Sequence, residues 1–300
     1  MRFTICQQSR IGQRPSNQDR LAHCYSREAL LMLVADGMGG HPHGELAAHL
    51  AVRHLTQAFR REARPRLPDP GRFLARALTG AHHGILDDAH VRQLPEAPHT
   101  TLVACVVQDG AAHWAHAGDS RLYLVRRGQV LARTRDHSRT QWLVEQGRLA
   151  PDEAVAHPGR NRLYSCLGAA RAPQVAHSPR TPLHDGDLLV LCSDGVWAAA
   201  GDDRLVTQLS ATPLRQGVAQ LLDDAERRAG HHADNLSLLA MRWHGEDCVR
   251  PANAESISTH TLAVDDFTTQ PDGFSMRTDP ANDLNADTIE RAIRKFNPTR

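Results

Sequence analysis

The chain has 300 residues, 41% of them hydrophobic, and a formal net charge of +1, enough apolar material for a core that needs no staples. The positive charge is spread over single arginines, with Lys295 the only lysine, so no polybasic patch points to nucleic acid or an anionic membrane. The N-terminus lacks a long apolar run, no later run approaches membrane-spanning length, and the six cysteines include no Cys-x-x-Cys pair, so a cytoplasmic monomer with reduced thiols is expected.

Strands are predicted near 2–8, 21–26 and 29–35, the last reading Ala29-Leu30-Leu31-Met32-Leu33-Val34-Ala35. A helix follows over 45–61, with Leu46, Leu50, Leu55 and Phe59 at helical spacing. A second is predicted over 69–92, where Asp69 caps, Pro70 suits the first helical position, and Phe73, Leu74, Ala77, Leu78, Ala81, Ile85 and Leu86 make the apolar face. A hairpin runs from 100–107 through Asp109-Gly110 to 111–117, and a second from 121–125 through Gly128 to 130–134. Between Asp136 and Gly168 the pattern loosens around a short helix near 141–146, as in a flap.

A strand over 187–192 comes next. Thr212-Pro213 then opens a helix that ends near Gly230, before a last strand over 235–243. Antiparallel strand clusters alternating with helices predict a layered α/β architecture. From 245 onward the composition turns polar. Residues 1–244 hold 29 basic and 24 acidic side chains, residues 245–300 hold 6 and 10, so the domain is expected to span 1–244 and the acidic tail to be a disordered linker. A short amphipathic helix near 287–297, with Ile289, Ala292, Ile293 and Phe296 on one face, is expected to dock on a partner.

The chemistry sits at strand ends. Asp36-Gly37 and Asp194-Gly195 each follow an apolar strand, and Asp234-Asn235 precedes another. Carboxylates in such places are partly desolvated, and a cation or a donor array must offset that cost. Hard divalent ions, Mn2+ or Mg2+, suit an all-oxygen cluster. Two ions sharing a carboxylate lower the pKa of a water and clamp the oxygens of a phosphoryl displacement. In this scheme Asp36 bridges the ions, Asp194 and Asp234 complete one, the Gly37 carbonyl supports the other, and Arg14 holds the phosphate through its planar fork. The nineteen histidines lack the Cys/His spacing of zinc sites.

The ordered stretches Arg14-x-x-Asn17-Gln18-Asp19, Val34-Ala35-Asp36-Gly37-Met38-Gly39-Gly40-His41, Thr100-Thr101, Gly118-Asp119-Ser120-Arg121, Thr134-x-Asp136-His137-Ser138, Cys192-Ser193-Asp194-Gly195 and Asp234-Asn235 resemble the metal-dependent protein serine/threonine phosphatases of type 2C, the PPM family, in its bacterial form. The resemblance implies a four-layer αββα sandwich of two antiparallel sheets flanked by helices, with a dinuclear metal centre at one end. It also implies that Asp119 joins Asp194 in holding a third, weaker ion, that Asp19 contributes as a direct or outer-shell acidic residue of the metal site, and that Gln18 and Asn235 form an outer shell. Asp136, His137 and Ser138 would belong to a flap beside the cleft. The expected substrates are phosphorylated proteins, with a cognate serine/threonine kinase as implied partner.

Three positions depart from the family pattern: Gln18 replaces a usual glutamate, Met38 a histidine of many eukaryotic relatives, and His99 a glycine. With Met38 present, a metal-bound water or His41 becomes the candidate proton donor to the leaving group. A phosphoprotein-binding regulator without turnover is the rival reading, and a two-metal phosphodiesterase a further one.

Overall fold

Every strand of the interior alternates between two hydrophobic neighbours, and that alternation stacks the layers. The computed structural model describes residues 1–39, 43–150, 153–154, 157–160, 162–245 and 258–261. In β3 (Ala29–Ala35), Leu31 and Leu33 face a helix pair, α1 (Gly44–Glu62) and α2 (Pro70–Val91). Leu30, Met32 and Val34, one residue out of phase, face the opposite sheet. In β10 (Leu188–Cys192), Leu189 and Leu191 meet them from that sheet. Leu188, Val190 and Cys192 face outward, onto the helices α4 (Asp194–Ala200), α5 (Asp202–Ala211) and α6 (Leu214–Ala229). Three apolar seams thus separate four layers, an αββα sandwich.

The remaining strands are β1 (Phe3–Arg10), β2 (Arg20–Tyr25), β4 (Leu102–Gln108), β5 (Ala111–Ala117), β6 (Arg121–Arg126), β7 (Gln129–Arg133), β8 (Ala176–His177), β9 (Thr181–Pro182), β11 (Leu236–Trp243) and β12 (Ser258–Thr261). One sheet has the order β1-β11-β10-β6-β7, the other β12-β2-β3-β4-β5-β8, with β9 also on β5. All pairings are antiparallel.

Local chemistry explains the element ends. Asp69 Oδ1 accepts the Arg72 amide at 3.0 Å, with Pro70 opening α2. Both hairpin turns put two residues at positive φ, Asp109-Gly110 and Arg127-Gly128, the type I′ signature. Ser138 Oγ accepts the Gln141 amide at 3.2 Å and starts α3 (Arg139–Glu145). Among the described residues, α4 and α5 are helices that the sequence pattern did not predict. Asp194-Gly195 reads locally as a turn, yet here it opens a helix, and Gly201 at φ +77 divides α4 from α5. β12 comes from the acidic segment after 244 and adds antiparallel to the edge of β2. The segment 287–297 lies outside the described residues. The five described cysteines are free, and no described helix is long and apolar enough to cross a membrane.

Register gathers the polar motifs at one end. In the first sheet Arg10 pairs with Leu236, Leu238 with Cys192, and Cys192 with Arg121. In the second Arg20 pairs with Ala35, Val34 with Val103, and Leu102 with Ala117. The segments bearing Asp19, Asp36, Asp119, Asp194 and Asp234 therefore all leave the sheets at the same edge.

Replacing Leu191, wholly buried between the sheets, with Ala is expected to lower the unfolding free energy by about 2–5 kcal/mol in urea titration. Leu131→Ala, at a side chain 51% exposed on β7, is expected to stay within about 0.5 kcal/mol of the parent. Equal losses at both positions would contradict the layered core.

Candidate metal centre

Asp36 follows β3, and its backbone is fixed from the neighbouring strand: Thr101 N donates to Asp36 O at 2.8 Å, Thr100 Oγ1 donates to the same oxygen at 2.9 Å, and Asp36 N donates to Thr101 Oγ1 at 3.2 Å. Gly37 is glycine for a packing reason. A Cβ there would meet the Gly44 carbonyl carbon at 2.4 Å and the Gln18 carbonyl oxygen at 2.8 Å. Asp194 is the first residue of α4, and its charge acts on Asp36.

Asp19, just before β2, is buried. Its Oδ2 accepts from Ser193 Oγ at 2.7 Å, while its Oδ1 is buried with no hydrogen-bond partner in the described structure. Ser193 in turn accepts the Ser237 amide at 3.0 Å, so one hydroxyl ties Asp19 to the starts of α4 and β11. Asp234 has both oxygens engaged: Oδ1 accepts the Asn235 amide at 2.8 Å and Oδ2 accepts from Arg14 Nη2 at 2.6 Å. Asn235 acts as a clasp, accepting the Gln18 amide at 2.9 Å and donating to the Ile11 and Ser16 carbonyls at 2.8 and 3.0 Å. It thereby folds the Arg14–Gln18 turn onto β11. The Gln18 side chain donates to Glu45 Oε2 at 3.3 Å. His41 lies outside the described residues.

The carboxyls feel one another. Burial pushes Asp19 up to about 7, with the charges of Asp194 and Asp234 adding to the rise against the Ser193 hydrogen bond. Burial raises Asp36 well above the usual carboxylate range, followed by Asp19, Asp194, Asp119 and Asp234. Asp194 is raised by burial and then by Asp234, and Asp119 well raised by burial and then by Asp194. Among the described residues no three His, Cys, Asp or Glu side chains form a preassembled coordination sphere. What the segments assemble is a pool of crowded carboxylates with one orphaned oxygen, a donor set that fits hard divalent cations.

The protein phosphatase 2C family profile matches residues 6–237. The chain belongs to this family. A putative protein phosphatase 2C-type protein of Streptococcus pyogenes is 31% identical over 240 residues, covering 79% of this chain and 96% of that one. Among solved structures, the S. agalactiae serine/threonine phosphatase superposes with a TM-score of 0.72 at 27% identity, covering 80% of this chain and 99% of that chain. The catalytic domain of the serine/threonine protein phosphatase PstP, solved in complex with two manganese ions, matches at a TM-score of 0.67 and 27% identity, covering 80% and 97%.

Other residues of this phosphatase 2C domain surround the carboxyls. Asp119 lies buried in the turn between β5 and β6, beside a Ser120–Thr101 hydroxyl pair at 2.6 Å. Asp136 forms a two-pronged pair with Arg121 at 2.8 and 2.7 Å, and the His137 ring stacks on His116 at 4.5 Å. With Ser138 capping α3, these three residues are a buried root from which the 136–168 region extends. Sequence reasoning assigned no role to Ser193, Trp197 or Glu45. Ser193 stands inside a motif already singled out, and its position before Asp194 was the available signal.

A carboxyl raised above its unfolded value stabilises the fold below that unfolded value, and loses this contribution as pH rises through the folded value. For Asp19 the window runs from 3.8 to about 7. Chelated protein is therefore expected to melt at lower temperature as pH climbs through this range, and added Mn2+ to raise Tm more near pH 8 than near pH 5. Equal Mn2+ shifts at both would contradict mutual charge crowding.

Proposed function

We propose that this chain hydrolyses phosphoserine and phosphothreonine in proteins, using Mn2+ or Mg2+ held among Asp19, Asp36, Asp119, Asp194 and Asp234. The observation that carries the reading is the crowding of these carboxyls at one edge of the sandwich, with Asp19 Oδ1 buried and unpartnered. Two divalent ions at such a centre supply a water of lowered pKa and neutralise charge on the phosphoryl oxygens. Asp36, on which the other four acidic residues all act, would be the residue shared by the two ions, with the Gly37 carbonyl next in the chain. Asp119 and Asp194 would hold a third, weaker ion.

Arg14 binds the phosphate. Its guanidinium is half-exposed and rests against Asp234 Oδ2, so it can exchange one oxyanion for another without leaving the rim. Asn235 orients the turn that carries Arg14. Gln18, whose amide donor is on Glu45, belongs to the outer shell, and His41 is the candidate proton donor to the departing serine or threonine oxygen. Phosphoprotein substrates imply a serine/threonine kinase acting on the same proteins. The S. pyogenes and S. agalactiae relatives, named as phosphatases, support the same reading.

The test is phosphate release from a phosphothreonine peptide with and without Mn2+. Wild-type turnover is expected to require the ion, and Asp36→Asn to lose at least about 10²-fold in kcat, the scale of removing an electrostatic stabiliser. Arg14→Ala is expected to act mainly on KM. Folded, Mn2+-loaded protein that releases no phosphate would favour a binding regulator, and faster cleavage of a phosphodiester would favour the diesterase.

A further inference from the structure

Asp119 is buried in the turn between β5 and β6, and Asp194 opens α4. The Asp119 turn is restrained from both sides. The Trp197 indole Nε1–H, one turn along α4 from Asp194, donates to the Asp119 carbonyl at 2.9 Å. On the other side of the turn, the His137 amide donates to the Gly118 carbonyl at 2.9 Å. Arg121 joins these two restraints: its guanidinium carbon lies 3.6 Å from the centre of the Trp197 ring, and its Nε and Nη2 donate to the Asp136 carboxylate, next to His137. The Arg121 and Asp136 side chains are only 11% and 8% exposed. A buried ion pair is weak evidence for stability, because desolvation offsets its attraction, so its geometric effect is the better reason for it.

We infer that Trp197 and Arg121 are positioning residues which hold the Asp119 turn at a fixed distance from Asp194, and so set the affinity of the cation site those two aspartates share. The inference rests on the assignment of Asp119 as a cation ligand above. Neither side chain needs to touch the ion or the substrate. Trp197 acts through the peptide that carries Asp119, and Arg121 through Trp197 and Asp136. Outer partners of this kind commonly change metal affinity by about 10–100-fold when removed.

The test is calorimetric titration of Mn2+ into chelated, full-length protein, with circular dichroism confirming the fold of each variant. Trp197→Phe keeps an aromatic ring under Arg121 but deletes the indole donor. It is expected to weaken by about tenfold the same binding step that Asp119→Asn weakens, leaving the tighter steps unchanged. The double variant is expected to bind no more weakly than Asp119→Asn alone, since both changes act on one contact chain. Arg121→Lys, which loses the fork and part of the stacking, is expected to follow Trp197→Phe. Wild-type isotherms for Trp197→Phe and Arg121→Lys, or a further loss when Trp197→Phe is added to Asp119→Asn, would overturn the positioning role while leaving Asp119 a ligand. An unchanged isotherm for Asp119→Asn itself would overturn the assignment of Asp119, and the inference with it.

Discussion

Burial of several mutually repelling carboxyls at one end of the sandwich is the constraint around which this molecule is arranged. Asp19, Asp36, Asp119 and Asp194 all bind protons more tightly than free carboxyls do, first because they are withdrawn from water and then because of one another. A fold selected for stability alone would have placed apolar residues there. Cations resolve the conflict, and the family to which the chain belongs includes a domain solved with two manganese ions.

The rest of the structure makes that crowding tolerable. Three apolar seams fix two sheets whose strand ends coincide, so the acidic loops are delivered by rigid elements and need little order of their own. Short polar ties then hold each loop: Ser193 spans Asp19 and β11, Asn235 clasps the Arg14 turn, and Thr100 and Thr101 hold the Asp36 backbone. Most of these partners are uncharged, and they fix position without cancelling the negative charge a cation needs. Arg14 is the charged exception, a half-exposed partner of Asp234, and it is the residue proposed above to bind the phosphate.

The elements most legible in the sequence were those whose burial pattern is local. β3 and β5 were read to the residue, and α2 through its Asp69-Pro70 start, because period and cap lie within a few positions. Asp36, Asp194 and Asp234 stood out because an acid at the end of an apolar strand is costly unless a cation or a donor array meets it. Asp19 and Asp119 sit in polar turns, where only the order of motifs singled them out. What escaped was non-local. The Asp19–Ser193 bond spans 174 positions and the Trp197–Asp119 bond 78, and no periodicity reports such contacts. α4 escaped because its opening Asp-Gly carries a turn signature, and β8 and β9 because two-residue strands have no period to read.

Convergence of these carboxyls on divalent cations is the central claim. Anomalous diffraction at the manganese edge from crystals soaked in Mn2+ tests it most directly. At least two strong peaks are expected within coordinating distance of Asp36, with Asp194 and Asp234 on one of them. Peaks confined to other surfaces, or none beside Asp36, would contradict it.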